Sequence, residues 1–236
     1  MKIKIKRFNK QKSQDFYIEE FDILNTNTLK ALLEVKQNYD KSFSFRYGCK
    51  SAVCGSCAIR VNGVEKLACK VKLKENDLIE PLNNFEVIKD LVVNLDKNEH
   101  FIKKSNAFLE EFSSNVVTKN DGKLIDLQSN CISCQSCFSS CPVSSINSDF
   151  IGPTSLTKVF RYIEDKKESL SKNKLDLIQK NGIWDCTLCG NCTMVCPQGI
   201  DSRSDILKLR MKSLQNGYTD PTIQTSFNME FNPNGF

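Results

Sequence analysis

The sequence predicts an α+β protein in two parts, a small part built on a sheet and a helical part. Three observations lead to this prediction. Apolar and charged residues alternate in about the first 95 residues, apolar residues at helical spacing dominate the remainder, and twelve cysteines fall into three groups. With 236 residues, the chain is long enough for two small domains.

The first part is predicted to hold two strands followed by a helix. The strands are predicted over residues 2–8 and 16–21, where apolar side chains alternate with charged ones. Asn27 has the chemistry of a helix cap. The apolar residues on one side of the helix that follows are Leu29, Leu32, Leu33 and Val35. The pattern therefore indicates a helix that packs on the sheet.

A hairpin is predicted next. The Asn-Gly pair at residues 62–63 separates two short apolar runs, 58–61 and 64–67, and this pair favours a type I′ turn. Ile79 and residues 87–88 are candidates for a last strand. Two strands, a helix and further strands in so short a segment predict a small α+β domain.

The second part is predicted to be helical. The apolar spacing predicts helices over 91–112 with an interruption near 97–98, from Thr154 onward, over 175–178 and over 206–214. Residues 113–126 are polar and include an Asn-Asp-Gly sequence, which predicts a loop.

These elements predict two domains, residues 1–96 and 97–216, and an extended C-terminal tail over 217–236. The tail carries Phe227, Phe231 and Phe236, which suit a segment that lies on another surface. Simple fraying of the terminus is the alternative.

The first group of cysteines has the spacing of a plant-type 2Fe-2S site. Its members are Cys49, Cys54, Cys57 and, after eleven further residues, Cys69. Gly48 and Gly55 would let the backbone come close to the sulfides of such a cluster. The alternative is a structural zinc site, which more often uses two C-x2-C pairs.

The second and third groups are one motif repeated. A Cys-x2-Cys-x2-Cys-x3-Cys-Pro run at residues 131–142 recurs at 186–197, 55 residues later. In bacterial two-cluster ferredoxins the fourth cysteine of each run binds the cluster of the other run. The ligands predicted for one 4Fe-4S cluster are Cys131, Cys134, Cys137 and Cys196. The ligands predicted for the other are Cys141, Cys186, Cys189 and Cys192. Zinc or disulfides are the alternatives, and the repeat disfavours both.

Charge does not indicate nucleic-acid binding. The net charge of +5 assumes neutral cysteines, and neither half of the chain carries a basic block. An oxidised cluster with four thiolates contributes about −2, so three clusters would leave the protein near −1.

Catalytic motifs are missing from the sequence as well. His100 is the only histidine, and no dinucleotide-binding or phosphate-binding glycine motif is present. No secretory signal is predicted, and the long uncharged stretch at 127–148 is too polar to span a membrane. The sequence therefore predicts an electron carrier that works between partner subunits.

Several motifs resemble those of one known family. In the first part these are residues 45–49, 54–57, 62–63 and 67–69. In the second part they are the two cysteine runs, with Gly152-Pro153 between them and Cys196-Pro197-Gln198-Gly199-Ile200 at the end. The first set is similar to the N-terminal ferredoxin domain, and the second to the C-terminal domain, of the iron–sulfur subunits of succinate dehydrogenase and quinol:fumarate reductase. The resemblance covers about residues 1–215.

The resemblance implies a β-grasp plant-type ferredoxin domain followed by an all-α bacterial-type ferredoxin domain. It also implies two partners, an FAD-containing flavoprotein subunit that interconverts succinate and fumarate and a subunit that reacts with quinone. Electrons from the flavin would reach the 2Fe-2S cluster first and the cluster of Cys186 last. The rival function is the same relay in a thiol:fumarate or glycolate-type oxidoreductase, and a zinc-stapled interaction protein is the alternative from another class.

Cys189 departs from the commoner members of that family. They have an aliphatic residue at the matching position and bind a 3Fe-4S cluster there. Cysteine at this position predicts a second 4Fe-4S cluster. The alternative is that Cys189 packs as a small hydrophobe beside a 3Fe-4S cluster.

The residues expected at a quinone site also differ. Commoner members have a histidine at the position of Thr187 and a tryptophan shortly after the first Cys-Pro, where this chain has residues 143–146, Val-Ser-Ser-Ile. Trp184 does not match and is predicted to be a core residue. These changes resemble the non-haem variant, which includes methylmenaquinol:fumarate reductases and has a cysteine-rich partner in place of a haem-bearing membrane anchor.

The family also implies a location. We expect the chain to lie at the cytoplasmic membrane through its partners, on the cytoplasmic side by family default. It would lie on the outer face where a flavoprotein with a twin-arginine signal carries it across.

Overall fold

The computed structural model describes residues 1–11 and 15–221. It confirms the mixed α+β class, because in these residues the strands lie before residue 94 and the helices, except the first, lie after residue 95. The strands are β1 Lys2–Arg7, β2 Tyr17–Asp22, β3 Ala58–Val61, β4 Val64–Leu67, β5 Leu78–Glu80, β6 Val87–Lys89 and β7 Val92–Val93. The helices are α1 Thr28–Asn38, α2 Asp96–Lys104, α3 Lys119–Ser129, α4 Ser136–Ser139, α5 Pro142–Ile146, α6 Gly152–Ile163, α7 Ser171–Leu177, α8 Asn191–Met194 and α9 Ser202–Gln215.

Five strands form one sheet in the order β2-β1-β5-β3-β4. β1 pairs antiparallel with β2 and parallel with β5, and β3 pairs antiparallel with both β4 and β5. Both candidates for a last strand are strands, but only Ile79, in β5, belongs to this sheet. Residues 87–88 lie in β6, which pairs with β7 in a separate two-stranded sheet.

The sheet buries the apolar residues of the alternating pattern. Ile3 and Ile5 of β1 are fully buried, while the lysines beside them are partly exposed. Helix α1 begins where the Asn27 side chain accepts a hydrogen bond from the Lys30 amide, and it packs its buried leucines into the same core. At the β3–β4 turn, residues 62–63 both have positive φ, which confirms the type I′ hairpin.

A buried arginine fixes the segment that leads into the first cysteine group. Arg7 is fully buried and its guanidinium donates to the carboxylates of Asp90, Asp40 and Glu19 at 2.8, 2.8 and 2.6 Å. Asp90 also accepts from the Ser44 amide at 2.8 Å. A buried charge needs such partners, and these tie the segment before Gly48 to the sheet.

The helical part packs around α6 and α9. These helices bury Leu156, Val159, Ile206 and Leu209 in a second apolar core. The predicted helices at Thr154, 175–178 and 206–214 are present as α6, α7 and α9, each beginning two or more residues earlier than the apolar pattern.

The prediction of a loop over residues 113–126 is wrong from Lys119 onward, where helix α3 begins. The Thr118 side chain accepts from the Asp121 amide, and the Asp121 carboxylate accepts from the Thr118 amide at 2.7 Å, which is a capping box. Of this helix only Gln128 is buried. Its apolar residues, Leu124, Ile125 and Leu127, are not buried and fall within four positions, which is too short a run for a periodic signal, so the sequence pattern missed the helix.

The predicted helix over 91–112 is wrong outside α2. Residues 92–93 are strand β7, and the chain after Lys104 is irregular. Buried Lys174 donates to the carbonyls of Asn106 and Phe108 at 2.8 and 2.7 Å, and Glu168 accepts from the Glu110 amide at 2.9 Å. These side chains satisfy backbone groups that a helix would otherwise pair.

The described chain ends at Pro221, so Phe227, Phe231 and Phe236 lie outside the described residues. In the described part, none of the helices combines the length and the apolar character that a membrane span needs.

Candidate functional site

The first cysteine loop lies between α1 and β3 and directs backbone N–H groups at its sulfurs. Cys49 Sγ accepts from the amides of Ser51 and Val53 at 3.4 and 3.3 Å, and Cys54 Sγ accepts from the Cys49 amide at 3.4 Å. The left-handed φ values of Lys50 and Ala52, 62° and 61°, turn these amides inward. The loop is therefore arranged for anionic sulfur.

The electrostatics of this loop differ between its exposed and buried thiols. The N–H donors, first that of Ser51, lower the pKa of Cys49 to about 6. Cys57 is buried and begins the approach to β3, and burial raises its pKa to about 11. Cys69 follows β4 and is half-buried. Cys57 and Cys69 interact closely enough for each to affect the other's protonation.

Gly55 brings the first loop against the second cysteine group. Its φ is +73°, and a Cβ built there would lie 2.5 Å from the Ile132 carbonyl oxygen and 2.9 Å from the Cα and Cβ of Cys134. No side chain fits so close an approach. Gly48 also faces a sulfur, since a Cβ there would lie 3.1 Å from Cys54 Sγ. The two cysteine groups are thus neighbours.

One cavity in the helical part is lined by four cysteines from both runs, namely Cys131, Cys134, Cys137 and Cys196. Cys137 Sγ lies 3.1 Å from the hydroxyl of Thr154 in α6, and Cys196 Sγ accepts from the Ile200 amide at 3.3 Å. Burial raises the pKa of Cys137 well above its ordinary value. The three closely spaced cysteines of the first run thus share this cavity with the fourth cysteine of the second run.

A second cavity has the reciprocal composition, with Cys141, Cys186, Cys189 and Cys192 in its wall. Cys186 Sγ accepts from the Leu188 amide at 3.4 Å. Burial raises the pKa of Cys192 to about 12. Burial also raises the pKa of Cys186, although the positive charge of Arg210 acts to lower it. Cys189 is exposed at the edge of the cavity.

All twelve predicted ligands are free thiols. The structure brings them together as the three predicted sets of four, and no other metal-binding side chain lines either helical cavity. Among the described residues, no three His, Cys, Asp or Glu side chains converge on one point as ligands of a single ion do. In an iron–sulfur cluster, by contrast, the cysteines bind different iron atoms. Cavities whose only metal-binding side chains are thiols, with backbone amides that donate hydrogen bonds to the sulfurs, fit iron–sulfur clusters.

Polar side chains that the sequence did not single out position these groups. Asn84 Nδ2 lies 2.9–3.1 Å from the carbonyl oxygens of Phe138, Ser139 and Cys141, at the end of α4. Arg210 of α9 donates to the Cys186 carbonyl at 2.6 Å. These residues lie far in sequence from the cysteines that they hold, and no motif marks them.

Trp184 is half-buried rather than wholly inside the core. It packs against the apolar core of the helical part, and its indole N–H donates to Gln179 Oε1 at 2.9 Å. The guanidinium carbon of Arg210 lies over its ring, 5.5 Å from the ring centroid. The packing partly agrees with the predicted core role, and Trp184 also supports the segment that carries Cys186.

Comparisons with known proteins agree with this chemistry. A family model described as a 2Fe-2S iron-sulfur cluster binding domain matches residues 2–101, and a 4Fe-4S dicluster domain matches residues 128–200. The fumarate reductase iron-sulfur subunit of Escherichia coli O157:H7 is 34% identical over 230 residues, covering 90% of this chain and 93% of that relative. This chain belongs to that family.

Two further similarities concern a second relative and the fold. The 8-methylmenaquinol:fumarate reductase iron-sulfur subunit of Wolinella succinogenes is 34% identical over 235 residues, which cover 92% of this chain and 74% of the relative. A chain of the Mycobacterium smegmatis Sdh1 complex in the apo form has the same fold, with a TM-score of 0.79 at 18% identity over 93% of this chain and 98% of that one.

Family membership confirms the main predictions from the sequence. The chain is an electron-transfer iron–sulfur subunit of an oxidoreductase. It has the domains for a 2Fe-2S cluster and for 4Fe-4S clusters. The relatives are named as subunits, that is, as parts of larger complexes.

Proposed function

We propose that this chain relays electrons between an FAD-containing flavoprotein subunit, which interconverts fumarate and succinate, and a quinone-linked subunit. When bound, one 2Fe-2S and two 4Fe-4S clusters supply the one-electron carriers. The N-terminal part is then a β-grasp plant-type ferredoxin domain, and the helical part an all-α bacterial-type one. Relatives named fumarate reductase iron-sulfur subunits, matched over nearly their whole length, support this function.

The observation that carries the proposal is the crossed composition of the two helical cavities. Each cavity combines three cysteines of one run with the last cysteine of the other run. That arrangement is the ligand scheme of two adjacent cubane clusters. The approach of Gly55 to Ile132 and Cys134 supports the order in which the 2Fe-2S cluster neighbours the cluster of the first run.

The first experiment is electron paramagnetic resonance and iron analysis of the assembled complex. Cys196→Ala is expected to remove the cluster of Cys131, Cys134 and Cys137, although Cys196 belongs to the other run. Cys192→Ala is the matched control, since it should remove the cluster of its own run. Loss of the Cys186 cluster in Cys196→Ala, with the cluster of the first run retained, would show that the crossed ligand sets are wrong.

We propose that Cys189 makes the last cluster 4Fe-4S. It lines the same cavity as the other three thiols, and its exposure argues against a role as a packed hydrophobe. Cys189→Val is expected to lower the iron content by about one atom per chain and to produce the oxidised-state signal of a 3Fe-4S cluster. The unaltered complex should lack that signal, and an unchanged iron content in the variant would remove Cys189 from the ligand set.

The quinone-linked partner is proposed to be a cysteine-rich subunit that reacts with a menaquinone-type quinone. The support is the absence from the sequence of a histidine at Thr187 and of a tryptophan at 143–146, together with the relative named for 8-methylmenaquinol. Attachment to the cytoplasmic membrane would then come through the partners. Co-purification of the chain with a subunit containing haem would contradict this choice of partner.

A further inference from the structure

One long-range hydrogen bond joins the end of the last cysteine run to the first cysteine loop. Gln198, two residues after Cys196, donates from Nε2 to the carbonyl oxygen of Ala52 at 3.1 Å. The two residues are 146 positions apart in the chain. Both are half-buried, and Ala52 packs against the core of the sheet part. The bond therefore connects the two parts of the molecule where their cysteine groups meet.

The acceptor of this bond belongs to a peptide unit that also contacts a sulfur. The Ala52 carbonyl and the Val53 amide share one peptide group, and the Val53 N–H donates to Cys49 Sγ at 3.3 Å. In a trans peptide the C=O and N–H point in opposite directions, and the described residues contain no cis peptide bond. A continuous chain of hydrogen bonds thus runs from the Gln198 amide through one peptide to Cys49 Sγ.

Two physical effects follow from that chain. A hydrogen-bond donor at the Ala52 carbonyl polarises the peptide group and thereby strengthens the hydrogen bond that the Val53 N–H donates to Cys49 Sγ. The bond also holds Ala52 at its left-handed φ of 61°. That conformation is unfavourable for any residue other than glycine. Without Gln198, the Val53 amide would be both a weaker donor and less firmly directed at the sulfur.

We propose that Gln198 is a positioning residue that raises the reduction potential of the 2Fe-2S cluster from the far side of the domain boundary. The inference rests on the proposed ligand role of Cys49. Reduction adds negative charge to a cluster and its thiolates, and hydrogen bonds to sulfur stabilise that charge. Gln198 thus belongs to the segment that carries Cys196, a proposed ligand of a 4Fe-4S cluster, but acts on the neighbouring 2Fe-2S cluster.

The experiment is a redox titration of the assembled complex, following the 2Fe-2S signal by electron paramagnetic resonance. Gln198→Leu removes the donor at similar side-chain size and is expected to shift the 2Fe-2S midpoint to a more negative potential. Gln198→Lys keeps an N–H donor and should lie closer to the unaltered protein than Gln198→Leu does. Gln37→Leu, at an exposed glutamine of α1, is the matched control and should leave the midpoint unchanged.

The outcomes separate the inference from the function on which it rests. A 2Fe-2S signal in the unaltered complex with no midpoint shift in Gln198→Leu would overturn the role of Gln198 alone. An equal shift of all clusters would also overturn it, since that indicates general loosening. Absence of any 2Fe-2S signal in the unaltered complex would overturn the proposed ligand set itself. If Gln198→Leu fails to assemble, Gln198→Asn is titrated instead, because its shorter amide cannot reach Ala52.

Discussion

The first cysteine loop and the helical cavities hold their thiols in opposite ways. In the loop, Cys49 and Cys54 are exposed and backbone amides point at their sulfurs, so that the pKa of Cys49 falls to about 6. In the helical part, Cys141 and Cys192 are buried among apolar side chains, and burial raises the pKa of Cys192 to about 12. Preorganised donors dominate at Cys49 of the loop, whereas desolvation dominates at Cys192 of the helical part and also at Cys57, the buried thiol of the first group.

The two regions also differ in the source of their stability. The loop is anchored to a sheet whose core includes Cys57 but is built mainly from apolar strand and α1 residues, of which Ile3, Ile5 and Ile79 are fully buried. The helical cavities lie within the second core, which includes Cys141 itself. Deprotonating buried thiols is costly unless a metal ion compensates. We therefore expect the helical part, more than the sheet part, to depend on its clusters for folding.

The largest expected effect tests this contrast directly. Cys57→Ser should abolish the 2Fe-2S signal while both helical clusters remain, because the loop and the cavities have separate ligands. Cys137→Ser, at the proposed ligand of the first cavity whose pKa burial raises well above its ordinary value, should instead reduce the yield of folded protein. Iron content and electron paramagnetic resonance of both purified variants measure the difference. Loss of all iron in Cys57→Ser would mean that the two regions do not assemble separately.

A smaller effect is expected where the two regions touch. Gly55→Ala places a Cβ 2.5 Å from the Ile132 carbonyl oxygen, so the two cysteine groups must move apart. We expect a lower thermal midpoint and a weaker magnetic interaction between the reduced 2Fe-2S and neighbouring 4Fe-4S clusters. Gly63→Ala is the control, because its φ of +78° imposes similar strain, about 1–2 kcal/mol, in a more open setting. If both variants behave alike, the close approach has no role beyond backbone strain.

The cysteine sets and the hairpin could be predicted because their signals are local. Spacing within each run restricts which thiols can face one cluster, and Asn62-Gly63 favours one turn type in almost any context. The exchange of Cys141 and Cys196 between runs was also predictable, since the repeat is a known pattern. Whether each cysteine binds iron stays a prediction that the experiments above address.

The remaining features depend on contacts between distant residues. Helix α3 is defined by the Thr118–Asp121 capping box rather than by an apolar face. The irregular chain after Lys104 is held by buried Lys174, and the close approach of the two cysteine groups depends on Gly55 and Gln198. A lysine, a glycine and a glutamine carry no periodic signal of such roles, so sequence patterns alone cannot reveal them.

A buried carboxyl group of the helical part gives an effect that depends on pH. Asp205 of α9 is 1% exposed, and its Oδ1 accepts from Gln128 Nε2 at 2.8 Å, while Oδ2 is buried with no hydrogen bond. Burial raises its pKa to about 6, against the effects of Gln128 and Lys208. The folded state therefore binds more protons than the unfolded state between about pH 4 and 6, and this group's contribution to stability falls as pH rises through that window.

Asp205→Asn removes the charge and retains an oxygen for Gln128. We expect little stabilisation near pH 3.5 and a gain of up to about 3 kcal/mol at pH 7, because burial raises the pKa of Asp205 from its ordinary value to about 6. Asp201→Asn, at the N-cap of the same helix, has the opposite sign: although burial raises the pKa of Asp201, hydrogen bonds from the Ser204 amide and Thr193 hydroxyl lower it overall. Its stabilisation is present at neutral pH and lost as pH falls. Thermal midpoints of both variants at one scan rate, compared across this range, measure the two slopes, and parallel curves would show that burial of Asp205 does not control its ionisation.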